Sequence, residues 1–164
     1  MHCARLPPFL LSLPRFNGWM LIRSFTESDT EPVIALWAQA GLLRPWNDPH
    51  RDIARKLSVQ PDLFLVVEVD GAVVATAMVG FDGHRGWVYY LAVALDHRGR
   101  GLARVLMAEA ERVLLERGCP KIMLMVRADN DAVIGMYEGL GYATESTVVM
   151  GKRLIPDDPP AEAG

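Results

Sequence analysis

Two hydrophobic periods divide the chain. Residues 20–25, Met-Leu-Ile-Arg-Ser-Phe, open on an alternating run that predicts a strand, and Thr26-Glu27-Ser28-Asp29 then offers helix N-cap residues. Val33, Ile34, Leu36 and Trp37 recur at helical spacing up to Ala40, and Gly41 stops that helix. A second, shorter helix is expected from Asp52 to Val59, closed by Gln60-Pro61-Asp62. The period then changes to that of strands. Residues 63–69 are rich in β-formers, Asp70-Gly71 signals a tight hairpin into residues 72–81, and Asp82-Gly83-His84-Arg85-Gly86 turns the chain into residues 87–95. This predicts a three-strand antiparallel meander with the opening strand at its edge.

Past the glycines at 99 and 101, the period returns to helical. Leu102, Leu106, Ala110, Val113 and Leu114 form one apolar stripe, with Arg104, Glu111, Arg112 and Glu116 turned to water. Gly118 and Pro120 end the helix. Residues 121–126 read as a buried strand, and its helical connection from the strand before makes it a parallel neighbour. Asp129-Asn130-Asp131 caps a further helix through Gly139, residues 142–154 can form a last strand or hairpin, and the chain from Ile155 reads as frayed. The elements predict a mixed α+β fold: a mostly antiparallel sheet flanked by helices. Residues 1–19 are expected to be an extension upstream of the domain, from a misplaced start codon, with the domain at 20–155 and a flexible tail at 156–164.

Composition narrows the function classes. A chain of 164 residues with net charge -3 suits one globular domain, and an excess of acids over bases argues against tracking nucleic-acid phosphates. Cys3 and Cys119 stand far apart, and His2, His50, His84 and His97 are scattered, so neither a disulfide framework nor a metal site is expected. No apolar run reaches the roughly 18 residues of a membrane span. The run from Pro8 to Pro14 is too short for a signal peptide and has no clear cleavage site. A cytoplasmic protein is expected.

The candidate chemistry lies where a strand ends in Asp96-His97-Arg98-Gly99-Arg100-Gly101 and a helix begins. Glycines let backbone N–H groups approach an anion closely, and a helix start adds unpaired donors and partial positive charge. Rival phosphate loops fail on their further demands. A P-loop needs Lys-Ser/Thr where Leu102-Ala103 stands, a dinucleotide fingerprint needs glycine where Arg104 stands, and the downstream kinase motifs are missing. What remains is R/Q-x-x-G-x-G/A, filled by Arg98, Gly101 and Ala103.

With the order of elements around it, this turn resembles the GNAT superfamily of acyl-CoA-dependent N-acyltransferases, over residues 20–154. At a finer level the chain is similar to small bacterial acetyltransferases of the YpeA type, through residues 43–49, 82–86, 117–122 and 135–138. The resemblance implies a sheet splayed at the strand before the turn, with acetyl-CoA in the gap. Backbone groups of Leu91, Ala92 and Val93 would meet the pantetheine, with the Val93 N–H as oxyanion donor. N–H groups across Arg98, Gly99, Arg100, Gly101, Leu102 and Ala103 would wrap the pyrophosphate, and Asn130 would hold the pantetheine arm or serve as a helix N-cap. Tyr137 matches the tyrosine near the thioester sulfur, where a protonated phenol aids thiolate departure.

The same resemblance places the amine acceptor among Arg44, Trp46, Asp48, His84, Tyr89 and Tyr90, with Asp48 suited to a cationic amine and Arg44 to a carboxylate. The base stays open between Glu68, Asp82, His84 and a water held near Tyr89 or Tyr90. The expected activity is transfer of an acetyl group from acetyl-CoA to a primary amine of a small molecule or protein, by direct attack in a ternary complex and without a metal. The alternative is a non-catalytic acyl-CoA-binding sensor on the same fold. No membrane or nucleic-acid partner is expected, and the chain would be a monomer or homodimer.

Overall fold

A computed structural model describes residues 9–11 and 19–157. It contains a six-stranded sheet in the order β1 (Phe9–Leu11), β2 (Met20–Ser24), β3 (Phe64–Val69), β4 (Ala72–Phe81), β5 (Gly86–Val93) and β6 (Ile122–Leu124). Every pairing is antiparallel except β5 with β6. Four α-helices flank it: α1 (Thr30–Gln39), α2 (Pro49–Val59), α3 (Leu102–Leu115) and α4 (Asp131–Glu138).

β3 explains the layering. Leu65, Val67 and Val69 pack into one apolar cluster with the α3 stripe Leu102, Leu106, Ala110, Val113 and Leu114. Phe64 and Val66, on the alternate positions, pack into a second cluster with Val33, Leu36 and Trp37 of α1 and Ile53 of α2. A strand buried on both faces has no polar alternation to show, which is why residues 63–67 are apolar without a break. α3 closes as expected: Gly118 sits at φ +73, and the Cys119 N–H returns to the Leu114 carbonyl at 3.0 Å. Among the described residues no helix is long and apolar enough to cross a membrane.

Several expectations change. The opening strand is not an edge, because three residues of the stretch expected to lie outside the domain pair with it as β1. α2 begins at Pro49, three residues early: proline suits a first helical turn, and the Asp48 side chain accepts from the N–H groups of His50 and Arg51. Residues 142–154 form no strand. Side chains hold this segment instead of a ladder, with the Tyr142 hydroxyl on Glu111 at 2.7 Å, Lys121 on Glu145 at 2.7 Å and Arg153 on Asn47 at 2.7 Å. Asp157, expected in a flexible tail, is buried and salt-bridged to Arg55. The rest of that tail, and residues 1–8 and 12–18, lie outside the described residues.

Candidate active site

The site starts from an irregularity in β5. Ala75 faces Val93 and Thr76 faces Ala92, yet Met78 faces Tyr89, so Tyr90 and Leu91 together oppose Ala77 in a β-bulge. Tyr90 takes φ +51, a left-handed conformation costing a bulky residue about 1–2 kcal/mol. Core contacts hold it there. Its ring stacks on Trp37 with centroids 3.9 Å apart, and its carbonyl accepts from Thr76 Oγ1 at 2.9 Å. The buried Trp37 Nε1 donates to the same Thr76 oxygen at 3.0 Å.

The bulge sets which way the following backbone groups face. The Ala94 N–H donates to the Val74 carbonyl at 2.8 Å, and strand residues alternate sides, so Val93 and Leu91 turn theirs away from β4. On that side the sheet opens. β5 and β6 pair only through Gly86–Ile122, Trp87–Met123 and Val88–Leu124, and the strands have no ladder beyond. Ala92 faces Thr76 and keeps its neighbours aimed at the gap.

At the far end of β5, Gly99 and Gly101 take φ +72 and +87, and a Cβ on either meets no atom within 4 Å. Left-handed backbone, not crowding by the protein, is what calls for glycine there. The first intrahelical bond runs from the Val105 N–H to the Gly101 carbonyl at 3.1 Å. The N–H groups of Leu102, Ala103 and Arg104 precede it and have no acceptor within the helix. Arg98 differs from its neighbours: its N–H goes to the Leu95 carbonyl and its Nε to the Val93 carbonyl at 3.2 Å, so it offers charge rather than a backbone donor. Arg100 lies close enough to Asp96 to help hold that carboxyl low, after the leading effect of His97.

Asn130 caps α4 with its side-chain oxygen on the Val133 N–H at 3.3 Å, which leaves its amide nitrogen for other partners. In the last turn of α4, one residue from its end, Tyr137 is 8% exposed and meets Tyr142 edge-on at 5.6 Å. Its hydroxyl has no hydrogen-bond partner among the described residues, and burial pushes the phenol up to about 12. It is fully protonated at neutral pH.

A cleft of about 840 Å³ lies between α2, the loop before it and the β4–β5 hairpin. It brings together Arg44, Tyr89 and Tyr90 of the expected acceptor residues, and the base candidate Asp82. Trp46, Asp48 and His84 do not line it: Trp46 is 52% exposed on its turn, Asp48 is occupied as the α2 cap, and the His84 N–H donates to Asp82 at 2.7 Å on an exposed turn. Asp82 accepts from the N–H groups of Arg85 and His84, which hold its carboxyl below the usual range. Glu68 is away from the cleft on β3, bound to Arg23 at 2.9 Å.

Three residues that sequence reasoning missed stand on α2: Asp52, Arg55 and Lys56, all lining the cleft. The Tyr90 hydroxyl donates to Asp52 Oδ2 at 2.6 Å, and burial together with that carboxylate drives the phenol above its ordinary range. Arg55 Nη1 donates to Asp52 Oδ1 at 3.0 Å. Lys56 Nζ donates to the Val79 carbonyl, and burial pulls its ammonium down to about 8. The available signal was spacing, since positions 52, 55, 56 and 59 share one helical face, adjacent to the side that buries Ile53.

Comparison with known proteins agrees with this geometry. The family model described as the acetyltransferase (GNAT) family matches residues 21–142. An acetyltransferase of Yersinia enterocolitica is 59% identical over 138 residues, covering 84% of this chain and 98% of that protein. Among solved structures, a putative acetyltransferase from Agrobacterium tumefaciens has TM-score 0.67 at 22% identity, covering 80% of this chain and 99% of its own. The aminoglycoside N-acetyltransferase AAC(6')-Iy in complex with CoA has TM-score 0.66 at 20% identity, covering 87% of this chain and all of its own. The chain belongs to the GNAT family of acetyltransferases.

Proposed function

We propose that this chain binds acetyl-CoA in the gap between β5 and β6 and passes the acetyl group directly to a primary amine seated in the α2 cleft. The observation that carries this reading is the bulge at Tyr90. It turns Val93 and Leu91 toward the gap while its own side chain reaches Asp52 in the cleft, so one strand serves both substrates. Leu91 pairs with a pantetheine amide while Val93 keeps its N–H for the acetyl end, Gly99, Gly101, Leu102 and Ala103 hold the pyrophosphate, and Arg98 and Arg100 supply charge beside them.

An amine with pKa near 10 arrives as ammonium and must lose a proton before attack. The Asp52–Tyr90 pair is the acceptor of that proton, directly or through a water. The amine nitrogen then forms its bond to the thioester carbon, the Val93 N–H stabilises the oxyanion, and the carbon–sulfur bond breaks. The thiolate departs against the Tyr137 hydroxyl. As the bond breaks, the nitrogen gives up its surplus proton, which reaches the thiolate through solvent, so the products are an N-acetyl amine and the free thiol of CoA.

Free-thiol release from acetyl-CoA across a panel of amines, parent against Tyr137→Phe, tests this reading. Turnover on at least one amine, slowed by the substitution, is the expected result. Tight acetyl-CoA binding with no turnover on any amine would replace it with a non-catalytic acyl-CoA sensor.

A further inference from the structure

The charges lining the cleft are unequally committed. Asp52 is shared between the Tyr90 hydroxyl and Arg55, and Arg55 carries Asp157 on its other side. Asp82 holds two backbone N–H groups and, at 3.3 Å, the Trp87 indole. Lys56 is turned onto the Val79 carbonyl. Arg44 is different. Its Nη1 donates to the carbonyls of Gly41 and Leu43, both at 2.8 Å, while no carboxylate among the described residues lies within ion-pair distance of it. Nε and Nη2 have no hydrogen-bond partner among those residues.

Two backbone bonds from one nitrogen hold the guanidinium at the rim and leave its Nε–Nη2 edge, the edge that takes a carboxylate side-on. Its charge reaches the Tyr90 hydroxyl strongly enough to oppose that phenol's upward shift. Arg44 and the Asp52–Tyr90 pair are therefore neighbours of opposite character. The α2 N-terminus nearby is already closed by Asp48, so a dianion finds no second cluster of donors there. Beside Asn47, which accepts from Arg153, and Gln60, whose amide is taken by the Phe81 backbone, the remaining wall is largely apolar, with Leu42, Met78, Phe81 and the stacked rings of Trp87 and Tyr89.

We propose that the acceptor is an amino carboxylate with an apolar body, its carboxylate on Arg44 and its amine at Asp52 and Tyr90. Purely cationic amines, such as polyamines, can use Asp52 but bring no anion for Arg44 and add charge beside Lys56. This deepens, and rests on, the reading of the α2 cleft as the acceptor site.

The test uses the full chain with acetyl-CoA at pH 8 and matched acceptors: L-phenylalanine against L-phenylalaninamide, L-leucine against L-leucinamide, O-phosphoethanolamine against ethanolamine, and spermidine. Thiol release should give kcat/KM at least 10-fold higher for each amino acid than for its amide. Arg44→Gln should erase that preference, with kcat/KM falling at least 10-fold further for the amino acids than for the amides, and Arg44→Lys should restore part of it. Binding is read independently by calorimetry on the CoA-loaded chain, with N-acetylphenylalanine against its amide. Carboxylate-dependent binding lost in R44Q supports the assignment even without turnover, an outcome that would overturn the catalytic reading alone. Equal or better use of the amides, of O-phosphoethanolamine or of spermidine overturns it, as does an equal fall for acid and amide in R44Q.

Discussion

Tyr137 combines burial with a hydroxyl that has no hydrogen-bond partner among the described residues, and its phenol is pushed up to about 12. An ordinary thiol has a pKa of about 8.5, so complete proton transfer from this phenol to a departing thiolate runs uphill by more than three pH units. A hydrogen bond that strengthens as charge gathers on sulfur has no such penalty, and it acts in the transition state rather than the ground state. We therefore expect Tyr137→Phe to lower kcat by about 10- to 100-fold, toward the lower end of general-acid effects, with little change in KM for either substrate. The sign of the pKa shift adds a second readout. A raised phenol stays protonated through pH 10, so the parent's pH–kcat profile should carry no basic limb from Tyr137 below about pH 11. The variant's profile should lie lower with the same shape. A limb near pH 9 that vanished in the variant would mean the phenol titrates as a true acid.

At the scale of elements, the β5–turn–α3 corner depends on left-handed glycines in open space. Gly101→Ala should destabilise the fold by about 1 kcal/mol from its φ of +87, read as a drop in Tm, and should weaken acetyl-CoA binding by more than that strain alone implies. An affinity loss no larger than the stability loss would place the pyrophosphate elsewhere. This corner was legible in the sequence because its constraints are local: period, glycine spacing and helix start lie within fifteen residues. The bulge was not. It arises from Thr76 on β4 and Trp37 on α1 gripping Tyr90, contacts separated by up to 53 positions that no window along β5 contains. The acceptor cleft was half legible for the same reason. Arg44, Tyr89 and Tyr90 stand in stretches with their own signal, whereas Asp52, Arg55 and Lys56 read as an ordinary solvated helix face until α2 is laid against β4 and β5. Residues 142–154 carry strand-like composition, yet a strand needs a free ladder to join, and β6 offers only three residues.

Across the whole molecule, the chain's far end returns to the acceptor side. Arg153 donates to Asn47, and the Asp157 carboxylate, 1% exposed, takes Arg55 Nη1 at 2.9 Å and the Asp48 N–H at 3.3 Å, with Arg51 at 3.8 Å. Arg55 bridges from there to Asp52, and Asp52 to Tyr90, so a line of charge-assisted bonds runs from the last described residue to the bulged strand. Arg55 holds the Asp157 carboxyl down to about 2 against an ordinary value of 3.8. A carboxylate whose folded pKa is depressed contributes stability that is complete above the unfolded value and is lost as pH falls through the folded one. Asp157→Asn removes that contribution at every pH. The Tm gap between parent and variant should therefore be constant from pH 5 to 8, narrow below pH 4 and close near pH 2. The functional readout separates the two substrates, because the line ends at Asp52 and Tyr90 and not at the glycine turn. KM for the best amine should rise severalfold in the variant while KM for acetyl-CoA stays unchanged. A Tm gap independent of pH would deny the ion pair its part, and an equal rise in both KM values would make Asp157 a support of the fold rather than of the acceptor cleft.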